Sequence, residues 1–160
     1  MIELLDLYTA NGERTGHTVP RGTPPAPGEL YLVVHVWIHD EAGRYLIQQR
    51  AHHLQDAPGV WAVTAGHVQA GEDSRAGALR ETQEEVGLTL DPAALRLWQQ
   101  GAFTRRLEHR WLATVTAATC GEPRPGPEVA ACRWATKAEL RALIPSGGFF
   151  EYSYFEDLPE

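Results

Sequence analysis

The segment from Ser74 to Gly87 constrains this chain more than any other, because Glu81, Glu84 and Glu85 within it have the spacing of one helical face. At 3.6 residues per turn, positions i, i+3 and i+4 fall together. Leu79, Thr82 and Val86 fall on a different face, with Ala78 between them. The pattern predicts an amphipathic helix that packs its apolar side inward and turns a concentrated acidic side elsewhere. Ser74, after Gly71-Glu72-Asp73, reads as the N-cap, and Gly87 stands just past the end, where a positive φ is needed. Gly77 lies inside the pattern at a cost of up to about 1 kcal/mol relative to Ala, which close packing or a nearby ligand would explain.

Most glutamate clusters on helices are solvated charge. A surface helix, however, normally offsets like charges at i,i+4 with Lys or Arg one turn on. Here the residues one turn after Glu84 and Glu85 are Leu88 and Thr89, which leaves Arg80 as the nearby partner within the helix. A bound cation resolves the excess. Carboxylate oxygens without His or Cys suit hard ions, so Mg²⁺ or Mn²⁺ is expected rather than Zn²⁺.

Gly66, five residues, Glu72, seven residues, Arg80-Glu81, two residues, Glu84-Glu85, one residue, Gly87-Leu88 resembles the signature box of the Nudix hydrolase superfamily at every fixed position. The box covers 23 of 160 residues, and its one departure is Thr82 in place of an aliphatic residue, for which weaker packing is expected. The resemblance implies an α+β fold, an α/β/α sandwich with a mixed sheet between helices. It also implies hydrolysis of a diphosphate linked to another group, by attack of water on phosphorus. On the matching positions it implies metal ligation by the Gly66 carbonyl, Glu81, Glu84 and Glu85, with Glu72 and Arg80 as a supporting ion pair. Glu84 and Glu85 are thus the expected catalytic acids within the box. A general base can also come from a later loop, where Glu128 and Glu108 are the candidates. Arg50, at the end of a strand, occupies a place where relatives put an arginine on a substrate phosphate, and a guanidinium suits bidentate binding there. Arg105 and Arg106 read as solvated turn residues, with a second anion contact as the alternative; His52, His53 and His67 read as surface or hydrogen-bonding loop residues, and the five tryptophans mostly as core.

The rest of the chain fits one domain over residues 1–160, with an N-terminal hairpin and proline-rich connector at 1–28, the box at 66–88 and an aromatic, acidic tail at 145–160. Hydrophobic residues at 43% and charged residues at 22% are ordinary for a globular protein. Strands are expected at Glu3 to Tyr8, Arg14 to Val19, Tyr31 to His39, Arg44 to Arg50, Trp61 to Thr64, Leu95 to Phe103, Glu108 to Thr119 and Val129 to Trp134, with a second helix from Lys137 to Leu143. Cys120 and Cys132 flank a turn and are expected to be free thiols, although a hairpin there would bring them near each other. No stretch reads as a signal peptide or membrane span, so a cytoplasmic location is the default. A formal charge of −7 disfavours a nucleic-acid polymer as partner and allows a small phosphorylated ligand bridged by metal.

The first fifty residues and the form Trp61-Ala62-Val63-Thr64-Ala65-Gly66-His67 are similar to the branch of the superfamily that includes isopentenyl-diphosphate isomerase. That enzyme depends on a cysteine where this chain has Ala65, and on a later acidic motif only partly echoed by Glu108-His109-Arg110-Trp111. Hydrolysis on an isomerase-like architecture is the expectation. The marks of ADP-ribose, dinucleoside-polyphosphate, coenzyme A and NADH hydrolases are missing. A nucleoside di- or triphosphate is the expected substrate on the strength of the resemblance, with ADP-ribose, an isoprenoid diphosphate or a non-catalytic nucleotide-binding role as alternatives. The tail from Phe149 to Phe155 has the aromatic area to pack on the domain, line the pocket or meet a partner, the first being expected.

Overall fold

The computed structural model describes residues 1–160. An antiparallel hairpin of β1 (Leu4–Tyr8) and β2 (Arg14–Pro20) forms a sheet of its own. The main sheet holds β3 (Tyr31–Asp40), β4 (Arg44–Arg50), β5 (Trp61–Ala62), β6 (Thr64–His67), β7 (Leu95–Ala102), β8 (Arg106–Val115) and β9 (Val129–Thr136). Its centre is the parallel pair β3–β8, registered from Tyr31↔Arg106 to Asp40↔Val115, with β7 antiparallel beyond β8. This is the mixed sheet of the expected α+β class.

One departure from a regular sheet builds the site. β3 and β4 form a hairpin but pair only near its turn, at His39↔Tyr45. Farther from the turn they part, and the chain from Trp61 to His67 fills the gap, β5 pairing with β4 and β6 with Val33–Val36 of β3. β9 lies on the other side of β4.

Alternation along β3 assigns the two faces. Leu32, Val34, Val36 and Ile38 join Val68, Ala78, Val86 and Leu88 in a core beneath helix α1 (Ser74–Val86). Trp37, with Tyr45, Ile47 and Leu112, packs instead against Leu140 of α3 (Lys137–Leu143) and against Phe149, Tyr154, Phe155 and Leu158 of the tail. The tail therefore packs on its own domain. It also joins the sheet edge, where Trp61 N–H donates to Gly148 O at 2.9 Å and Phe150 N–H to Trp61 O at 3.0 Å.

Two details differ from the sequence reading, and the expectation of free thiols holds. The N-cap of α1 is Asp73, whose carboxylate accepts from Ala76 N–H, while Ser74 Oγ bonds His109 and Trp111 on β8. The strand expected to reach Thr119 stops at Val115, because Thr116 and Thr119 bond each other and close the short turn of α2 (Ala117–Cys120). Cys120 and Cys132 do not face each other across a hairpin: β8 pairs with β3 and β7, β9 pairs with β4, and both thiols are free. The connection between them runs instead past the end of α1, where Arg124 and Gly126 N–H donate to Val86 and Glu85 carbonyls. Those are carbonyls that a helix end leaves without intrahelical donors.

Candidate active site

Helix α1 ends at Gly87, which has φ of 69° as the sequence pattern requires. Thr82 is wholly buried, and its hydroxyl is satisfied by the Ala78 carbonyl at 2.8 Å, so the departure from an aliphatic residue leaves no unpaired polar atom. Gly77 is explained by close packing: a Cβ there would press on Val68 and on a Glu72 oxygen at 3.1–3.2 Å.

Arg80 organises the acidic face. Its guanidinium meets Glu72 at 2.7 Å, Glu81 at 2.9 Å and Glu84 at 3.2 Å, and donates to the His67 carbonyl at 2.9 Å. Glu72 in turn accepts from Gln69 N–H, which fixes the loop between β6 and α1. Glu81 is buried directly against Gly66, where any Cβ would overlap its carboxylate. Glu84 is 56% exposed at its side chain. Glu85 reaches through the opening between β3 and β4, and its Oε2 accepts from Ala65 N–H at 3.2 Å and Gln48 Nε2 at 2.7 Å. Burial, followed by the repulsion of Glu81, pushes the Glu85 carboxyl up to about 8. Burial likewise pushes Glu81 to about 7, against the pull of Arg80. Burial is the main cause of both shifts, and of the two carboxyls Glu81 is the one that the Arg80 guanidinium contacts. The donors on this face are all oxygen, the kind that a hard divalent cation takes.

On the face opposite α1 lies a cavity of about 810 Å³. Glu85, Gln48, Ala65 and Arg50 form one part of its wall. Tyr31, Phe103, Arg105 and Arg106 form another, and the tail from Phe150 to Tyr154 closes a side. Arg50 is thus brought to Glu85. Arg105 and Arg106, expected to be solvated, line the cavity as well, and so does His67, whose ring meets Tyr31 edge-on at 5.6 Å.

The two candidate acids outside the box part company. Glu128 is exposed beside β9 and is not in the cavity wall; its backbone carbonyl accepts from Ala51 N–H. Glu108, the other candidate, lines the cavity and is buried against Arg110 at 2.8 Å, Arg106 at 3.2 Å and His35 at 3.4 Å. Its position on a central strand, paired on both sides, was hidden because the parallel partner of β8 is 75 residues away in sequence. Sequence reasoning also missed Gln48 and Tyr154. The Tyr154 hydroxyl meets His35 Nδ1 at 2.6 Å and accepts from Trp37 Nε1 at 3.1 Å. Two polar atoms of cavity-lining residues, Gln48 Oε1 and Tyr31 OH, are buried without a hydrogen-bond partner.

The family model of the NUDIX domain matches residues 30–158. The chain belongs to the Nudix family. An uncharacterized Nudix hydrolase of Listeria monocytogenes, lmo0368, is 38% identical over 158 residues, covering 98% of this chain and 94% of the relative. An isopentenyl-diphosphate Delta-isomerase of Streptomyces griseus is 31% identical over 162 residues, covering 92% and 79%. Among solved structures, DR0079 of Deinococcus radiodurans superposes with a TM-score of 0.76 at 22% identity, covering 96% of each chain, which is a likeness of fold. This Nudix chain is accordingly a hydrolase acting on pyrophosphate bonds. The isomerase-like resemblance stands as well, and Ala65 lies in the cavity wall.

Proposed function

We propose that this Nudix hydrolase is a Mg²⁺-dependent pyrophosphohydrolase of nucleoside di- or triphosphates, with Mn²⁺ as an alternative metal, working in the cytoplasm on a small molecule. The observation that carries the reading is geometric: Glu85, held by Gln48 and Ala65 N–H, shares one cavity wall with Arg50. The Gly66 carbonyl, Glu81, Glu84 and Glu85 would hold the metal, and Glu72 and Arg80 would aim them. When bound, the metal supplies charge neutralisation at phosphate oxygens and a more acidic water.

The chain's own residues do the rest. Arg50 binds a phosphate through its guanidinium and keeps the phosphorus near the box. Water adds to phosphorus, the bridging P–O bond breaks, and the departing phosphate takes the bonding electrons. The water's proton passes to a box carboxylate. We assign it to Glu85, whose Oε2 already accepts two hydrogen bonds that fix the side chain, and not to Glu128, which stands outside the cavity wall. Glu84, at the exposed end of the acidic face, is the second catalytic acid. Isomerase chemistry is not part of the proposal: Ala65 carries no transferable proton, and the Arg110 guanidinium is bonded to Glu108 and Gln99.

Phosphate release from nucleoside diphosphates, with and without Mg²⁺, tests the reading. Glu85→Gln is expected to lower kcat by at least about a hundredfold; unchanged turnover in that variant would sink it.

A further inference from the structure

The reaction end of the cavity does not explain its other end, where β3 begins and the β7–β8 turn folds over it. Tyr31 N–H donates to Arg105 O at 3.1 Å, and Phe103 N–H donates to Arg106 O at 2.8 Å, so Tyr31, Phe103, Arg105 and Arg106 form one backbone-braced corner. Phe103 is 42% exposed although it lines the cavity, with the Arg106 guanidinium 5.0 Å from its ring centre. The Tyr31 hydroxyl is buried there without a partner. Leaving a buried hydroxyl unpaired is costly, and an exposed phenyl ring forgoes burial. One ligand removes both costs: a flat ring with polar atoms on its edge.

We infer that this corner is the subsite for the base of a nucleotide, with Phe103 stacking on the ring and Tyr31 OH hydrogen-bonding its heteroatom edge. This inference rests on the proposed hydrolysis of nucleotides and names the residues that select them. The placement along β3 suits it. Tyr31 and His35 stand four residues apart, about 13 Å along a strand, and His35 is registered with Ala65, whose N–H holds Glu85. The cavity therefore separates a base corner from the Glu85 end by the length of β3 that a ribose and its phosphates would follow. A prenyl chain fits the corner poorly. It would bury Tyr31 OH still unpaired and would face Thr104, Arg105 and Arg106.

The test uses the full chain and substitutions at positions where the fold loses little. Tyr31→Phe removes only the unpartnered hydroxyl, and Phe103 is half-exposed. Hydrolysis of ADP, CDP, dimethylallyl diphosphate and inorganic tripolyphosphate is measured in Mg²⁺, together with AMP binding by calorimetry, which needs no turnover. Each substitution is expected to raise KM for the nucleotides, Phe103→Ala by about ten- to hundredfold, with kcat within twofold and tripolyphosphate kinetics unchanged. AMP binding should weaken in step. The inference is overturned if nucleotide KM and AMP binding stay at wild-type values, if AMP does not bind the wild type, or if dimethylallyl diphosphate suffers equally. It is also overturned if Phe150→Ala, on the tail side of the cavity, carries the effect in place of Phe103→Ala. Failure of the hydrolytic reading itself looks different: no diphosphate is turned over, while AMP binding still reports on the corner.

Discussion

Arg80 and Lys137 are both cations withdrawn from water, and they hold the two sides of the molecule by opposite means. Arg80, 20% exposed at its side chain, is surrounded by carboxylates and fixes the acidic face of α1. Lys137, only 4% exposed, gives its ammonium to backbone: Glu156 O at 3.0 Å and Leu158 O at 2.7 Å, with the Glu160 carboxylate at 3.2 Å. The first arrangement holds side chains that bring charge to a site. The second anchors the end of the tail, whose preceding residues Phe150 to Tyr154 line the cavity. A planar fork matches several carboxylates, whereas a compact ammonium with three donors suits converging carbonyls.

The contrast can be broken from either side. The largest effect is expected on the helix that Arg80 braces: Glu85→Gln should abolish most Mg²⁺-dependent phosphate release while leaving the circular dichroism spectrum intact, and chelation of the metal in the wild type should match it. Arg80→Met leaves Glu72 and Glu81 together without their cation, and urea denaturation should show a loss of about 3 kcal/mol. Retention of full stability would mean that the carboxylates simply take up protons. Lys137→Met keeps the stem but strands two carbonyls. A loss of about 2 kcal/mol is expected, with faster proteolytic cleavage in residues 145–160 than elsewhere; uniform cleavage would argue that the tail is held by its aromatic rings alone.

The smallest effect concerns pH. Burial, opposed by Glu108, lowers the His35 imidazole from 6.5 to about 4. Below 6.5 the unfolded chain takes up a proton that the folded one refuses, so this residue's contribution to stability is intact above that pH and is lost on acidification toward 4. Denaturation midpoints at pH 7 and 5 should differ by less in His35→Gln than in the wild type. Equal differences would remove His35 as the cause.

The same two cations mark what was legible in the sequence. Arg80 was readable because its partners lie within a few turns, at spacings that helix geometry fixes. Lys137 was not, because a lysine in the first turn of a short helix reads as solvated until the tail is known to lie over it. Strand positions were legible from β-branched and aromatic runs, but partners were not: nothing local says that β8 pairs in parallel with β3 and thereby buries Glu108 and Arg110. The one-residue shift of the helix cap from Ser74 to Asp73 has the same origin, since Ser74 Oγ is engaged by His109 and Trp111 from a distant strand.

The connection from Gly121 to Glu128 has a consequence for anyone altering this protein. Its prolines, glycines and exposed charges give it the look of a segment open to grafting or insertion. Yet Gly126 lies so close to the Glu84 carbonyl that a Cβ would overlap it, and Gly87 has the same loop's Arg124 backbone within 3.1 Å of where its own Cβ would stand. Loop and helix are thus cut to one template. Lengthening the loop, or replacing Gly126 with alanine, should displace Glu84 and Glu85 from some forty residues away, so the two segments are best exchanged together or left alone.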